Sequence, residues 1–184
     1  MFKLKLFTLL IIGLLISSCG DDDPEIPNEE EVITTLTYTL TPNGGGDNVE
    51  LVFTDLDGDG GADPILQTAP LAANTEYAGT LTFLNETESP AEDITEEVME
   101  EDLEHQVFFS TSVSGMTISY NDMDDDGNPL GLSSTVNTST ADNGTLTIIL
   151  RHEPAKDADG VSDGDITNAG GETDIEVTFN IDVE

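Results

Sequence analysis

Apolar and polar residues alternate along most of the chain. In residues 36–40, Leu36, Tyr38 and Leu40 fall on one side of an extended backbone and Thr residues on the other, as a half-buried strand requires. The same period of two recurs at residues 49–53, 77–83, 107–109, 116–120, 130–138, 146–150 and 175–183. Turn-forming Gly, Asn and Asp residues separate these stretches. The pattern predicts an all-β fold, an antiparallel immunoglobulin-like β-sandwich of seven to eight strands.

The alternation is interrupted in two places. At residues 89–92 a Pro stands where the first turn of a helix tolerates it, and Ile94, Val98 and Leu103 then follow roughly helical spacing, which predicts one short helix. The other interruption is a connection rich in Gly and Asp at residues 154–172. Connections of this length are usually functional or flexible, so we expect a solvated loop or a ligand loop there.

The first residues predict a lipoprotein signal peptide. Lys3 and Lys5 precede an apolar run at residues 6–16 that is too short to cross a bilayer. The run leads into residues 16–19, which resemble the lipobox of bacterial lipoproteins, where cleavage before the Cys leaves that residue to carry acyl chains such as palmitate. We therefore expect a signal peptide at residues 1–18 and lipidation of Cys19. The alternative is a buried Cys19 inside an uncleaved membrane helix.

An acidic segment that contains Pro follows the Cys. Residues 20–23 resemble the signal that sends Bacteroidota lipoproteins to the outer face of the outer membrane. The same residues would also suit a solvated tether on a protein that faces the periplasm. Because like charges and Pro keep such a segment extended, we expect a lipidated tether at residues 19–31 and the β-sandwich domain at residues 32–184.

The charge balance excludes several classes of protein. The chain has 39 Asp plus Glu against 4 Lys plus Arg, a formal net charge of -35. Such a chain repels nucleic acid and attracts cations. Its single Cys excludes a disulfide framework and any Cys-rich metal site. Because no Walker loop or H-E-x-x-H motif occurs, we expect a protein that is not an enzyme.

Two acidic loops match D-x-D-x-D-G, the first half of a calcium loop, in which alternating carboxylates converge on a hard cation. The position of the bidentate Glu in a full EF-hand is taken by Leu66 in the first loop and by Ser133 in the second. Calcium binding and an ordinary Asp-Gly turn therefore stay open as alternatives, and the turn is favoured in the second loop. The candidate calcium ligands are Asp55, Asp57, Asp59 and Asp63 in the first loop and Asp122, Asp124 and Asp126 in the second.

The two His residues form a second candidate site, for zinc or another transition metal. His105 begins a predicted strand, His152 ends another, and each has the parity of the inward side chains. If the two strands are antiparallel, both imidazoles reach the same end of the sandwich on its inner face. A third ligand would come from Glu104, Glu153 or the 154–172 connection. The alternative is two half-buried His residues that hydrogen-bond to the backbone.

The chain resembles a family of small acidic Bacteroidota lipoproteins. The resemblance covers nearly the whole domain and is most specific at residues 84–94, 104–106, 151–152 and 167–174. Members often carry the label "type 1 periplasmic binding fold superfamily protein", a two-lobed α/β fold that needs repeated strand-helix units; the alternation here favours the sandwich instead. The resemblance implies an outer-membrane or cell-surface location and an association with a TonB-dependent receptor.

Two functions follow from these features. The first is a lipid-anchored outer-membrane or cell-surface binding module that captures a cation or small ligand, accessory to a TonB-dependent receptor. The second is a calcium-stabilised structural or adhesion domain of the cell surface. Calcium is the first cofactor expected from the acidic loops, and zinc at the two His residues is the second.

The Cys19→Ala variant tests the predicted anchor. We expect the variant to lose membrane attachment, because the thiol is the acylation site and several acyl chains are needed for stable anchoring. Membrane fractionation followed by a salt wash measures this. A variant that still fractionates entirely with the outer membrane would contradict the lipoprotein interpretation.

Overall fold

The computed structural model describes residues 31–58 and 60–184 as two antiparallel sheets packed face to face. The predicted signal peptide, Cys19 and the first twelve residues of the predicted tether lie outside the described residues. The larger sheet has seven strands and the smaller one has three. An all-β antiparallel sandwich is confirmed. Within the described residues, no helix has the length and apolar character needed to span a bilayer.

In the part of the chain that the structure describes, ten strands form the two sheets. The larger sheet contains β1 (Thr35–Pro42), β2 (Val49–Thr54), β3 (Ile65–Gln67), β4 (Glu76–Asn85), β5 (Glu92–Asp93), β7 (Thr117–Tyr120) and β8 (Ser133–Asn137). The smaller sheet contains β6 (His105–Thr111), β9 (Asp142–His152) and β10 (Glu172–Val183). The order in the larger sheet is β3-β2-β1-β4-β8-β7, with β5 paired to β4, and the order in the smaller sheet is β10-β9-β6. The eight predicted strands correspond to all of these except β3 and β5, which are too short to show an alternation.

The core lies between the two sheets. Along most of β1, β4, β9 and β10, buried side chains alternate with exposed or half-buried ones. A single apolar cluster joins the sheets, and it includes Leu36 and Phe83 from the larger sheet and Ile148 and Phe179 from the smaller one. Burial of one face of each sheet fixes the register of each strand, because a shift by one residue would turn the apolar face to water.

The helix α1 (Ile94–Glu100) is shorter than predicted and begins later. Glu92 and Asp93 pair with β4 as β5, so Pro90 precedes a strand and does not stand in the helix. The Asp93 side chain accepts a hydrogen bond from the backbone N–H of Thr95 and caps the helix N-terminus. Leu103 lies beyond the helix and is exposed.

The connection at residues 154–172 is an ordered layer on the outer face of the smaller sheet. It contains two 3-10 turns, Val161–Asp163 and Ile166–Asn168. Val161 and Ala169 are buried against Phe108 of β6 in a second, small apolar cluster. The expectation of a flexible solvated loop is wrong for this segment, because it buries apolar side chains of its own.

Gly79 of β4 provides a test of the core. A Cβ at this position would lie 2.5 Å from the Tyr38 hydroxyl oxygen and 2.6 Å from the Ser134 Oγ, and those two hydroxyls are themselves hydrogen-bonded at 2.6 Å inside the core. We expect Gly79→Ala to lower the free energy of unfolding by about 1–3 kcal/mol, because overpacking forces this pair apart. Chemical denaturation measures the change. Gly44→Ala is the control, since nothing lies within 4 Å of a Cβ there, and an equal loss in both variants would contradict this explanation.

Candidate metal centre

His105 and His152 lie side by side at one end of the smaller sheet. They are direct cross-strand partners in the antiparallel pairing of β6 with β9, so the first residue of one strand faces the last residue of the other. Their ring centroids are 4.6 Å apart at an interplanar angle of 74°. His105 is fully buried and His152 is 4 % exposed. The structure therefore brings the two predicted imidazoles together on the inner face of the sandwich.

Glu31 contacts both imidazoles. Its Oε1 lies 2.9 Å from Nε2 of His105, and its Oε2 lies 3.4 Å from Nδ1 of His152. The side chain is only 7 % exposed. The sequence places this residue at the end of the tether, whereas the structure makes it part of the domain. Glu31 lies in the domain because the two imidazoles offer its carboxylate a buried partner. The local composition of residues 19–31 gives no sign of those imidazoles.

Asp174 supplies a second buried carboxylate from β10. Its Oδ2 lies 3.9 Å from Nε2 of His105 and its Oδ1 lies 3.9 Å from Nδ1 of His152. The pairing of β10 with β9 shifts register between Thr173 and Ile175, so Asp174 is the extra residue of a β-bulge. Regular alternation would turn this side chain to the outer face with Glu176. The bulge changes that parity, and sequence alternation alone therefore missed the residue.

The protonation of His105 follows from its hydrogen bonds. Nδ1 lies 3.2 Å from the Glu101 carbonyl oxygen, which accepts a hydrogen bond only from a protonated nitrogen, and Nε2 faces the Glu31 carboxylate. Burial by itself lowers the pKa of His105, but the hydrogen bond and charge of Glu31 and the Glu101 carbonyl raise it above its ordinary value. Burial likewise raises the pKa of Glu31, but the hydrogen bond and charge of His105, together with hydrogen bonds from the Glu31 backbone and Asp174, leave that pKa well below its usual range. Both shifts favour the charged forms of the two groups.

The four side chains have the donor set of a divalent transition metal. His105, His152, Glu31 and Asp174 each offer one ligand atom, and these four atoms all lie within 4.8 Å of one another. Two imidazoles and two carboxylates suit tetrahedral zinc, with metal-ligand bonds of about 2 Å. The Glu101 carbonyl would hold the Nδ1–H of His105 while Nε2 binds an ion, as is usual for metal-ligating His residues. The predicted third ligands Glu104 and Glu153 are not members of this group.

Glu104 and Glu153 lie on the other side of the His152 ring. Together with His152 they form a second group whose ligand atoms lie within 4.8 Å of one another. The Glu104 Oε2 is 3.8 Å from Nε2 of His152, and the Glu104 side chain is 57 % exposed. This group faces solvent, whereas the four-residue group is enclosed.

An acidic pocket of about 430 Å³ adjoins Glu31. It lies beside α1, and its carboxylates come from Glu31, Glu92, Glu97, Glu100 and Glu101. Partial burial, followed by the charges of the other carboxylates of this pocket, raises the pKa of Glu97 above its ordinary value. The surroundings of the four-residue group are therefore strongly negative on the side of α1.

The first acidic loop is a turn that its own carboxylates stabilise. Oδ1 of Asp55 accepts hydrogen bonds from the backbone N–H groups of Asp57 and Gly58, and Oδ2 of Asp57 accepts one from Ala62. Asp59 lies outside the described residues, and Asp63 is exposed. In the described part of this loop, the carboxylates do not form a group of three that could hold an ion. Calcium binding here stays a prediction.

The second acidic loop is a turn in which one carboxylate pairs with a Lys side chain. Asp122 accepts hydrogen bonds from the backbone N–H groups of Gly131 and Ser133. Asp124 accepts them from the backbone N–H groups of Asp126 and Asn128 and pairs at 2.8 Å with the Lys156 ammonium group. Among the described residues these carboxylates form no group of three that could hold an ion. Calcium binding here stays a prediction.

Comparison with protein families, with curated proteins and with solved structures finds no match to this chain.

The Lys156–Asp124 pair yields a test of this loop. The Asp124 side chain is fully buried and that of Lys156 is 5 % exposed, so Lys156→Met leaves a buried carboxylate without its cation. We expect a loss of about 3 kcal/mol in the free energy of unfolding at neutral pH. Burial alone raises the pKa of Asp124, but the hydrogen bond and charge of Lys156, together with the backbone N–H groups of Asn128 and Asp126, lower it below the ordinary value of 3.8.

The sign of the pH dependence follows from that lowered pKa. The contribution of the pair is present above pH 3.8 and is lost as the pH falls through the pKa of the folded state. Urea denaturation at several pH values should therefore show the difference between wild type and Lys156→Met narrowing in acid. The double variant Lys156→Met with Asp124→Asn is the control, and it should recover part of the loss. A difference that does not change with pH would contradict an ion pair.

Proposed function

We propose that the protein is a lipid-anchored binding module of the cell envelope that holds a divalent transition metal ion, zinc by preference. The observation that carries the proposal is the convergence of two imidazoles and two carboxylates in a buried group at one end of the sandwich. Ionisable side chains are rarely buried unless they are paired or bind a metal. In a chain with a net charge of -35, a divalent cation at this place also relieves repulsion.

The ligand chemistry favours zinc over calcium. Calcium takes six to eight oxygen ligands, whereas imidazole nitrogens suit zinc, copper, iron and nickel. His105 and His152 provide two such nitrogens, and Glu31 and Asp174 complete a set of four. The hydrogen bond from Nδ1 of His105 to a backbone carbonyl orients the ring for coordination through Nε2.

The proposed location comes from the N-terminal sequence. The lipobox resemblance at residues 16–19 and the acidic residues that follow support anchoring in the outer membrane with the domain at the cell surface. A protein in this position meets metal ions before they cross the outer membrane, and a TonB-dependent receptor is the partner class that the family resemblance suggests. In this function the module captures the ion for uptake.

A structural or adhesion domain is the second candidate function, and the burial of the ligands favours it. The side chains of His105, His152, Glu31 and Asp174 are at most 7 % exposed. Closed sites with four protein ligands are typical of structural zinc. In that function the ion would stay with the protein and stabilise the fold, and the cation would be zinc and not the calcium that the acidic loops suggest.

Zinc titration of the purified full chain tests the proposed function. Competition against a chromophoric chelator at 150 mM NaCl should give one tightly bound zinc ion per chain, and a thermal melt should shift upward on binding. The near-isosteric variants Glu31→Gln and Asp174→Asn should each weaken zinc binding by at least about tenfold. Slow release of zinc to excess chelator would favour the structural function, and fast release would favour capture.

Glu176→Gln is the matched control for charge. Glu176 lies on β10 two residues from Asp174, but its side chain is exposed on the outer face. This variant should bind zinc as the wild type does. A wild type that takes up no stoichiometric zinc, or an equal loss in the control, would show that the four side chains are only an ion-pair network.

A further inference from the structure

A second group of ligands surrounds the outward-facing nitrogen of His152. In the antiparallel pairing, the next pair beyond the two His residues is Glu104, just before β6, and Glu153, just after β9. The Glu153 N–H donates a hydrogen bond to the Glu104 carbonyl oxygen at 2.6 Å. Their carboxylates lie beside one another on the solvent side of the imidazole. Like charges in cross-strand positions destabilise a sheet unless a cation lies between them.

The basic residues of the described chain do not provide that cation. Lys156 pairs with Asp124, and Arg151 donates to the Thr173 hydroxyl at 2.6 Å. Within the described residues, Nε2 of His152 lies 3.8 Å from the Glu104 carboxylate. This distance is too long for a hydrogen bond. The His152 side chain is 95 % buried, and its Nε2 faces the Glu104 carboxylate.

We propose that Glu104, Glu153 and Nε2 of His152 form a second, solvent-facing site for a divalent cation. Two carboxylates and one imidazole suit a hard or borderline ion such as Mn²⁺, which completes its coordination with water. The exposed carboxylates leave room for that water. We call this the outer site, and the four-residue group of Glu31, His105, His152 and Asp174 the inner site.

The two sites share one imidazole and exclude one another. A neutral imidazole has one nitrogen with a lone pair and one with a proton. When Nδ1 of His152 binds an ion at the inner site, Nε2 carries the proton and faces Glu104. When Nε2 binds an ion at the outer site, Nδ1 carries the proton and donates it to Glu31, which lies 3.4 Å away. The outer site is thus the first contact of an incoming ion, and the inner site is where the ion is enclosed. This sequence of occupancy rests on the proposed function, whereas the outer site itself does not.

Mn²⁺ binding measured by electron paramagnetic resonance tests the outer site. The full chain carrying Glu31→Gln and Asp174→Asn is used, because it disables the inner site and retains all three outer ligands. At 150 mM NaCl we expect one saturable Mn²⁺ per chain above the weak general binding of an acidic surface. Adding Glu104→Gln and Glu153→Gln should weaken this binding by at least about tenfold. Circular dichroism establishes that each variant is folded, and the same Mn²⁺ titration of the wild type gives the result independently of the inner-site substitutions.

The control removes the same charge elsewhere. Glu176→Gln with Asp182→Asn changes two exposed carboxylates on the outer face of β10 and should leave Mn²⁺ binding unchanged. Equal weakening in this control would overturn the outer site, because it would show screening by surface charge only. Absence of saturable Mn²⁺ binding in both the wild type and the variant would also overturn it.

Wild-type protein loaded with one zinc ion tests the shared imidazole. We expect its Mn²⁺ binding to fall by at least about tenfold, because Nε2 of His152 then carries a proton. Unchanged Mn²⁺ binding after zinc loading would overturn the sharing. If the wild type takes up no zinc, the proposed function fails, and the Mn²⁺ titrations still decide the outer site.

Discussion

The direct cross-strand pairing of His105 with His152 constrains everything else at this end of the sandwich. Antiparallel pairing of β6 with β9 places the two rings next to each other between the sheets, where both are buried. A buried imidazole needs partners for its nitrogens. Glu31 and Asp174, which come from distant parts of the sequence, provide those partners. Neither residue has the position that its local sequence suggests. The group can then hold either a proton with its counter-charge or a metal ion.

The few basic side chains of this domain have an important structural role. The chain has 39 acidic residues and only 4 Lys plus Arg. Most of the acidic residues that the structure describes face water and repel one another. Lys156 does not offset the charge of the acidic surface, because it is buried against Asp124 and the Asp102 carbonyl oxygen. His105 is likewise buried against Glu31. The protein thus uses its basic groups to fix the positions of particular loops and strand ends, and it leaves the surface negative.

Much of the fold could be predicted from the sequence, because the alternation of apolar residues reports directly which face of a strand is buried. The same reasoning placed His105 and His152 at one end of the sandwich, since parity and strand direction are enough for that. Asp174 was missed because a β-bulge reverses parity at one residue. Glu31 was missed because its partner His105 is 74 residues away and its neighbours in sequence resemble a solvated tether. Lys156 could not be assigned to Asp124 for the same reason, since no local pattern records a contact across 32 residues.

The place where the chain enters the domain has a mechanical consequence. Any tension carried by the N-terminal segment reaches Glu31 first and then passes into β1. This strand does not lie at an edge of its sheet: it pairs with β2 on one side and β4 on the other, over six and eight residue pairs respectively. A pull directed along β1 must therefore shear two ladders of hydrogen bonds together, whereas an edge strand could be peeled away one bond at a time. The described fold therefore resists a pull at its N-terminal end in shear and not by peeling.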